Sequence, residues 1–240
     1  MSDGGMEIGA NALALQPVAE QQNETSKLRL RFRQVGSDKL SDTELLMLLL
    51  MPRYCFERAE AIAERLIAEY RTFPEVLNAP RHLLMEIKGV GPVLADTIAT
   101  VRECLIRSAR AEIIDRKYLD TWDKTMEYLQ LSMGYLEIEQ FRCLYLNTKN
   151  VLIADEVMNE GTVDHTPVYP REVVRRSLLL GAKAVILVHN HPSGDPTPSR
   201  ADIQMTRQLV DIAKPLDIEI YDHFIMSRGA SFSFRAMQLI

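Results

Sequence analysis

The stretch from Ala184 to Met205, AVILVHNHPSGDPTPSRADIQM, constrains the fold more than any other part of the sequence. Four apolar residues, 185–188, lead directly into His-Asn-His, and a loop rich in proline, glycine and serine follows. A short apolar run bounded by turn residues predicts a buried strand. The amphipathic segment that begins at Ser199 predicts a helix. We therefore expect a strand, a loop and a helix in succession.

The two histidines of this stretch, His189 and His191, are separated by one residue. In an extended chain, residues i and i+2 point to the same face, so both imidazoles can face one point. Asp202 follows in the first turn of the predicted helix. Two histidines and one carboxylate leave a fourth position open, as in catalytic rather than structural zinc sites. The sequence thus predicts a Zn²⁺ cofactor held by His189, His191 and Asp202.

A structural interpretation of the same residues stays open. Ser199 and Asp202 fit a variant capping box, with Ser199 as the N-cap and Asp202 favoured by the helix dipole. The two histidines can be ordinary polar residues at a strand end. Asp195 competes with Asp202 as the third ligand, although it lies within the loop. The combination of these features at one strand end favours the metal site.

The order His-x-His, seven residues, Ser, two residues, Asp resembles the JAMM motif of MPN-type zinc metalloproteases. The segment HNHPSGDPTPSRADI resembles the RadC family of bacterial proteins more closely still. The resemblance to that family extends over residues 27–240. The resemblance implies an α/β fold, with a JAMM/MPN-like (cytidine-deaminase-like) sheet covered by helices, preceded by a small all-α helix-hairpin-helix-like domain. The sequence departs from many family members at Met51–Cys55, which replaces a small-residue turn, and at Tyr169, which replaces a histidine.

The same resemblance implies the catalytic groups. The base of JAMM proteins is a glutamate at the head of an early strand, which corresponds to Glu139, while Glu156 and Glu172 remain alternatives. The motif serine, Ser199, would stabilise the oxyanion. Asp222 and His223 could supply a carboxylate or an imidazole that hydrogen-bonds the second nitrogen of a ligand histidine, or they could form a surface pair.

These roles predict a zinc-dependent hydrolase of the metallopeptidase or isopeptidase type, acting on an unidentified protein or peptide. The family's name associates it with DNA repair or recombination. Two alternative functions remain: a DNA-associated binding or scaffold protein with a non-catalytic zinc site, and a metal-dependent nuclease. His82 and His165 suggest no functional role.

A second motif is the turn Lys88-Gly89-Val90-Gly91. Two glycines that flank one apolar residue predict a tight turn between helices, and Pro92 suits the first turn of the second helix. The turn resembles the hairpin of helix-hairpin-helix modules, whose backbone N–H groups can contact a DNA phosphate independently of base sequence. The alternative is a helix–helix turn without a role in nucleic-acid binding.

Composition limits the class of protein. The 240 residues are 47% hydrophobic and 25% charged, as in ordinary globular chains of one or two domains. Because the net charge is −5, DNA contact would require a local basic patch. The three cysteines form no CxxC pair, which suits a reducing cytosol. Without a signal peptide or a long apolar stretch, we expect a cytoplasmic protein with no membrane partner.

We divide the sequence into three parts. Residues 1–24 predict a disordered lead-in. Residues 25–110 predict the helical helix-hairpin-helix-like domain, and residues 111–240 the JAMM/MPN-like zinc domain. In the third part we expect these further elements: a hairpin over 141–147 and 151–158, more sheet over 161–168, a helix over 170–180, and strands over 218–220 and 224–226.

Overall fold

The computed structural model describes residues 18–161 and 168–240, with side chains from residue 24 onward. The chain divides into two compact units, residues 1–99 and 100–240, and the division falls within a long helix. No helix in the described ranges is long and apolar enough to cross a membrane.

The first unit is helical. Its helices are α1 (Val18–Val35), α2 (Asp42–Leu50), α3 (Phe56–Tyr70), α4 (Phe73–Asn78), α5 (Arg81–Leu84) and the first part of α6 (Pro92–Ala111). Residues 18–24, which we expected to be disordered, form the start of α1, because this segment is rich in residues of good helix propensity. Residues 1–17 of the expected lead-in lie outside the described ranges.

The second unit contains a five-stranded sheet with the strand order β2-β1-β3-β4-β5. The strands are β1 (Glu139–Leu146), β2 (Leu152–Gly161), β3 (Ala184–Asn190), β4 (Glu219–Ser227) and β5 (Ala230–Ser233). β3 and β4 are parallel, and the other neighbours are antiparallel. The helices of this unit after α6 are α7 (Trp122–Met133), α8 (Pro170–Leu180) and α9 (Arg200–Ala213). The expected mixed α/β fold with a helix-covered sheet is confirmed.

β3 is buried along its whole length. Ile186 and Val188 pack on one face of the sheet in a cluster that includes residues of α7. Val185 and Leu187 pack on the opposite face, in a cluster that includes residues of α8 and α9. Each such side chain contributes roughly 1.5–3 kcal/mol on full burial. Burial of both faces explains why the strand is continuously apolar rather than alternating.

Two details of the sheet differ from the expectations. β4 is one continuous strand where we expected two, and β5 was not expected. The polar pair Asp222 and His223 interrupts the apolar pattern of β4, yet both residues are buried, because hydrogen bonds within the fold satisfy their polar atoms. Most of the sheet expected over 161–168 falls outside the described ranges.

Candidate metal centre

The end of β3 positions both histidines. His189 is paired with Phe141 of β1 and Ile225 of β4. The backbone N–H of His191 donates to the carbonyl of Met226 at 2.8 Å, so the chain stays extended for one residue beyond the strand. The two imidazoles therefore emerge on the same face of the sheet, as the i, i+2 spacing predicts.

The three expected ligand side chains come together. The Nε2 atoms of His189 and His191 are 3.0 Å apart. The Asp202 carboxylate lies 3.5 Å from Nε2 of His189 and 3.7 Å from Nε2 of His191. Ligands at zinc bond lengths in a tetrahedron are roughly 3.3 Å apart. The donor set and its spacing thus fit a tetrahedral zinc ion with three protein ligands.

The first turn of α9 orients the carboxylate. Ser199 is the N-cap, and its Oγ accepts a hydrogen bond from the backbone N–H of Asp202 at 3.1 Å. The Asp202 carboxylate accepts in turn from the backbone N–H and the hydroxyl of Ser199, at 2.7 and 2.6 Å. The capping box is therefore present. It is compatible with a ligand role for Asp202, because it fixes the direction in which the carboxylate points.

The loop after β3 determines the protonation of His191. Its Nδ1 atom lies 2.8 Å from the main-chain carbonyl of Asp195. A carbonyl can only accept, so Nδ1 carries the proton and donates. In the neutral ring, Nε2 is then unprotonated, and its lone pair faces His189 and Asp202. The Asp195 carboxylate instead accepts from the backbone N–H of Thr197 at 2.9 Å, so Asp195 supports the site through its main chain.

The electrostatics of the cluster suit a cation. Burial lowers the pKa of His189 to about 4. Burial by itself raises the pKa of Asp202. Hydrogen bonds with His191 and Ser199 and the charge of His189 outweigh this effect and hold that pKa well below its ordinary value. The Asp202 carboxylate raises the pKa of the half-buried His191. At neutral pH the site thus combines a neutral His189 with an ionised Asp202, the protonation states that metal ligation requires.

A family model described as the RadC-like JAB domain matches residues 119–239, just over half of the chain. The chain belongs to the RadC family. JAB domains form part of a superfamily of metalloproteases, and members commonly bind zinc. The matched range includes β3, α9 and the three candidate ligands.

A cleft of about 450 Å³ in the RadC-like JAB domain adjoins the cluster. His189 and Asp202 line it together with Glu139, the first residue of β1. The exposed amides of Gln204 and Gln208 on α9 line it as well. After the larger effect of Asp202, the charge of Glu139 also raises the pKa of His191. Glu139 is thus close enough to act electrostatically on the cluster.

The alternative glutamates lie elsewhere in the RadC-like JAB domain. Glu156 on β2 accepts two hydrogen bonds from Arg176, at 2.6 and 2.5 Å. Glu172, in the first turn of α8, accepts from Arg175 at 2.9 Å. Neither lines the cleft beside the ligand cluster. Their ion pairs with arginines account for both carboxylates in structural terms.

Asp222 and His223 are both buried, so they are not a surface pair. The imidazole of His223 is the group that contacts His189, whereas Asp222 accepts from the backbone N–H of His223 and the hydroxyl of Ser233. Nε2 of His223 lies 2.8 Å from Nδ1 of His189, and its Nδ1 lies 2.6 Å from Oγ1 of Thr206. We did not single out Thr206 from the sequence. Its position four residues after Asp202 was the available signal, because residues i and i+4 share one helix face.

The turn Lys88-Gly89-Val90-Gly91 lies in the first unit, between α5 and α6. Gly89 has φ of +99°, and Val90 is buried beneath the turn. Lys88 is exposed, while its carbonyl accepts a hydrogen bond from Arg65 at 2.9 Å. His82 is exposed on α5, and His165 lies outside the described ranges.

Proposed function

We propose that this RadC-family protein is a zinc-dependent hydrolase of amide bonds, of the metallopeptidase or isopeptidase type, acting on a protein or peptide. One observation carries the proposal: the ligand atoms of His189, His191 and Asp202 lie within 4.8 Å of one another, beside a cleft that also contains Glu139. Two histidines, a carboxylate and a separate acid beside an accessible cleft are the components of metal-assisted hydrolysis.

The residues of the cleft have distinct proposed roles. Bound zinc would supply a Lewis acid that lowers the pKa of water to about 7. Glu139 accepts a proton from the attacking water and returns it to the leaving amine. Ser199 donates to the oxyanion. The Ser199 hydroxyl donates to Asp202 in the substrate-free protein, so this role requires the hydroxyl to change its acceptor during the reaction.

The proposal is tested with the zinc-loaded full chain against fluorogenic peptides and lysine isopeptide conjugates. The key variant is Glu139→Gln, and Glu172→Gln is the matched control on the same domain. We expect Glu139→Gln to bind zinc normally and to lower turnover by about 100-fold or more. Turnover that survives Glu139→Gln but is abolished by Glu172→Gln would show that the base is assigned to the wrong residue. No cleavage by the wild type would favour the scaffold alternative.

The same zinc-loaded chain is also assayed against DNA and RNA, and zinc-dependent cleavage of either would favour the nuclease alternative. The part of the chain that the structure describes contains one group of three ligand side chains suited to a metal. Nucleases commonly use two metal ions to stabilise both the attacking and the leaving oxygen. A single three-ligand group therefore favours amide over phosphodiester hydrolysis.

We propose as a second, separate activity that the first unit contacts DNA without sequence preference. An exposed lysine and a tight turn directly before the 20-residue helix α6 support this proposal, because backbone N–H groups at a helix N-terminus favour phosphate. The test is Lys88→Ala, which should weaken binding to duplex DNA at low salt and reduce its salt dependence. Unchanged binding would mean that the Lys88 side chain contacts no phosphate.

We also propose a reducing, cytoplasmic location. The cysteines Cys55, Cys104 and Cys143 are all free thiols, and two of them are exposed. Exposed free thiols suit a compartment in which glutathione and thioredoxin keep cysteine reduced. Localisation of the tagged protein by cell fractionation tests this, and recovery outside the cytoplasmic fraction would contradict it.

A further inference from the structure

We infer that His223 and Thr206 are positioning residues that hold His189 in the one neutral tautomer able to bind the metal. The inference rests on the proposed metal site, but not on the identity of the substrate or on the rate of hydrolysis. It assigns a role to two buried polar residues that neither ligate the metal nor line the cleft.

Three short contacts form a continuous chain behind His189. Nδ1 of His189 lies 2.8 Å from Nε2 of His223. Nδ1 of His223 lies 2.6 Å from Oγ1 of Thr206. The Thr206 hydroxyl donates to the main-chain carbonyl of Asp202 at 2.6 Å. His189, His223 and Thr206 are all buried, so these contacts do not compete with bulk water.

The last acceptor determines the direction of every hydrogen bond in the chain. A carbonyl can only accept, so the Thr206 hydroxyl donates its single proton to the main-chain carbonyl of Asp202. Thr206 must then accept from Nδ1–H of His223. In a neutral ring, Nε2 of His223 is therefore an acceptor, and Nδ1 of His189 must donate to it. Nε2 of His189 is consequently unprotonated, and its lone pair faces His191 and Asp202.

The surroundings of His223 fix its ring in place. Its two ring nitrogens face an imidazole and a hydroxyl rather than a carboxylate, and the ring is fully buried. The Phe234 ring stacks on it at 4.5 Å between centroids, and Phe141 meets it edge-on at 5.9 Å. Its backbone N–H donates to Asp222 at 2.6 Å, and its carbonyl accepts from the N–H of Phe234 at 3.0 Å.

The chain of hydrogen bonds links two of the proposed ligands. Asp202 offers its carboxylate to the cluster and its main-chain carbonyl to Thr206, while His189 stands at the other end. With both histidines neutral and protonated on Nδ1, two nitrogen lone pairs and a carboxylate converge on one point. Apart from the hydrogen bonds that Ser199 donates to Asp202, these atoms are all acceptors, so a cation can satisfy the set.

Removal of the Thr206 hydroxyl should reverse the direction of the hydrogen bond between His223 and His189. In Thr206→Val the side chain keeps its shape but no longer accepts from Nδ1–H of His223. The alternative tautomer of His223 then donates from Nε2 to Nδ1 of His189, which moves the His189 proton to Nε2, where it blocks the metal. Loss of groups that orient metal ligands typically weakens metal binding 10–100-fold. Thr206→Ser keeps the hydroxyl and is the matched control.

The first measurement is the histidine ¹⁵N NMR spectrum of the zinc-free wild type near pH 7.5, which reports the protonated nitrogen of each ring. We expect His189 and His223 both to carry the proton on Nδ1. A proton on Nε2 of His189 would overturn the inference. This result needs no variant and no substrate, so it is independent of whether the protein hydrolyses amides.

The second measurement is the zinc dissociation constant, obtained by competition with a chelator. We expect Thr206→Val to bind zinc at least ~10-fold more weakly than the wild type, and Thr206→Ser to remain within ~3-fold of it. Circular dichroism controls for folding. A folded Thr206→Val with wild-type zinc affinity and an unchanged His189 tautomer would overturn the inference. Hydrolytic inactivity with the expected NMR and affinity results would count against the proposed reaction alone.

Discussion

Asp202 and Ser199 form a reciprocal pair in which the same carboxylate that faces the histidines also caps the first turn of α9. Oδ2 of Asp202 accepts from the backbone N–H and hydroxyl of Ser199, whereas Oδ1 lies 3.5 Å from Nε2 of His189. The start of the helix and the direction of the third ligand are therefore determined by the same hydrogen bonds.

Ser199→Ala should lower both stability and zinc affinity. The lost cap costs about 1 kcal/mol of the free energy of unfolding, measured by chemical denaturation of the zinc-free protein. The carboxylate also loses a hydrogen bond that orients it, so zinc binding should weaken about 10-fold.

Ser41→Ala is the matched control for this prediction, because Ser41 and Glu44 form the same capping box at the start of α2. It should cost similar stability in the first unit without changing zinc affinity. Equal zinc affinity in Ser199→Ala and Ser41→Ala would show that the cap at α9 does not orient the ligand.

Zinc-free protein should lose stability as the pH falls from about 6.5 to about 4. Burial lowers the pKa of His189 to about 4, and burial lowers the pKa of His223 as well. Between the folded value and the unfolded value of about 6.5, the unfolded chain binds more protons, so unfolding becomes more favourable with acid. Each such histidine contributes up to about 1.4 kcal/mol per pH unit.

The pH effect is measured by urea denaturation at pH 7.5 and pH 5.5. In His189→Gln, which lacks one of the two buried imidazoles, the loss of stability between these pH values should be smaller. An identical loss in the wild type and His189→Gln would show that protonation of His189 does not control the stability of this unit.

The two glycines of the turn before α6 should differ sharply in their tolerance of alanine. Gly89 has φ of +99°, and an added Cβ would lie 2.9 Å from Cγ1 of Ile62. Gly89→Ala should therefore destabilise the first unit by roughly 1–3 kcal/mol. Gly91 has open space at its Cβ position, so Gly91→Ala should remain within about 0.5 kcal/mol of the wild type.

Thermal denaturation of the two variants measures this difference. Gly91→Ala is consequently also the cleaner probe of DNA contact, because a loss of binding in Gly89→Ala would combine strain with any change at the phosphate. Equal destabilisation by both substitutions would contradict the conformation of the turn.

The sequence is most informative about this fold where the pattern is local. The apolar run of β3, the proline at the start of α8 and the Ser199–Asp202 spacing each indicate an element within a few residues, and each element is present. The short strand β5 has no comparable pattern, because two of its four residues are exposed and its pairing depends on β4.

The candidate site also contains one part that local sequence patterns predict and one part that depends on the tertiary structure. His189, His191 and Asp202 lie within one stretch of the chain, so their convergence follows from a strand, a loop and a helix. The chain of hydrogen bonds through Thr206 and His223 depends on α9 packing against the sheet, which brings residues 17 positions apart within 2.6 Å. The i, i+4 spacing places Thr206 on the same face of α9 as Asp202, but it does not indicate the partner on β4, so the contact itself required the tertiary structure.

The most direct test of the metal centre is the zinc content of the purified protein by elemental analysis, with wild type beside the His189→Ala/His191→Ala variant. Circular dichroism of both proteins controls for folding. We expect about one zinc per chain in the wild type and its loss in a folded variant. A wild-type protein that contains no zinc, even after dialysis against a zinc salt, would contradict the metal centre and leave a JAB fold that acts through binding.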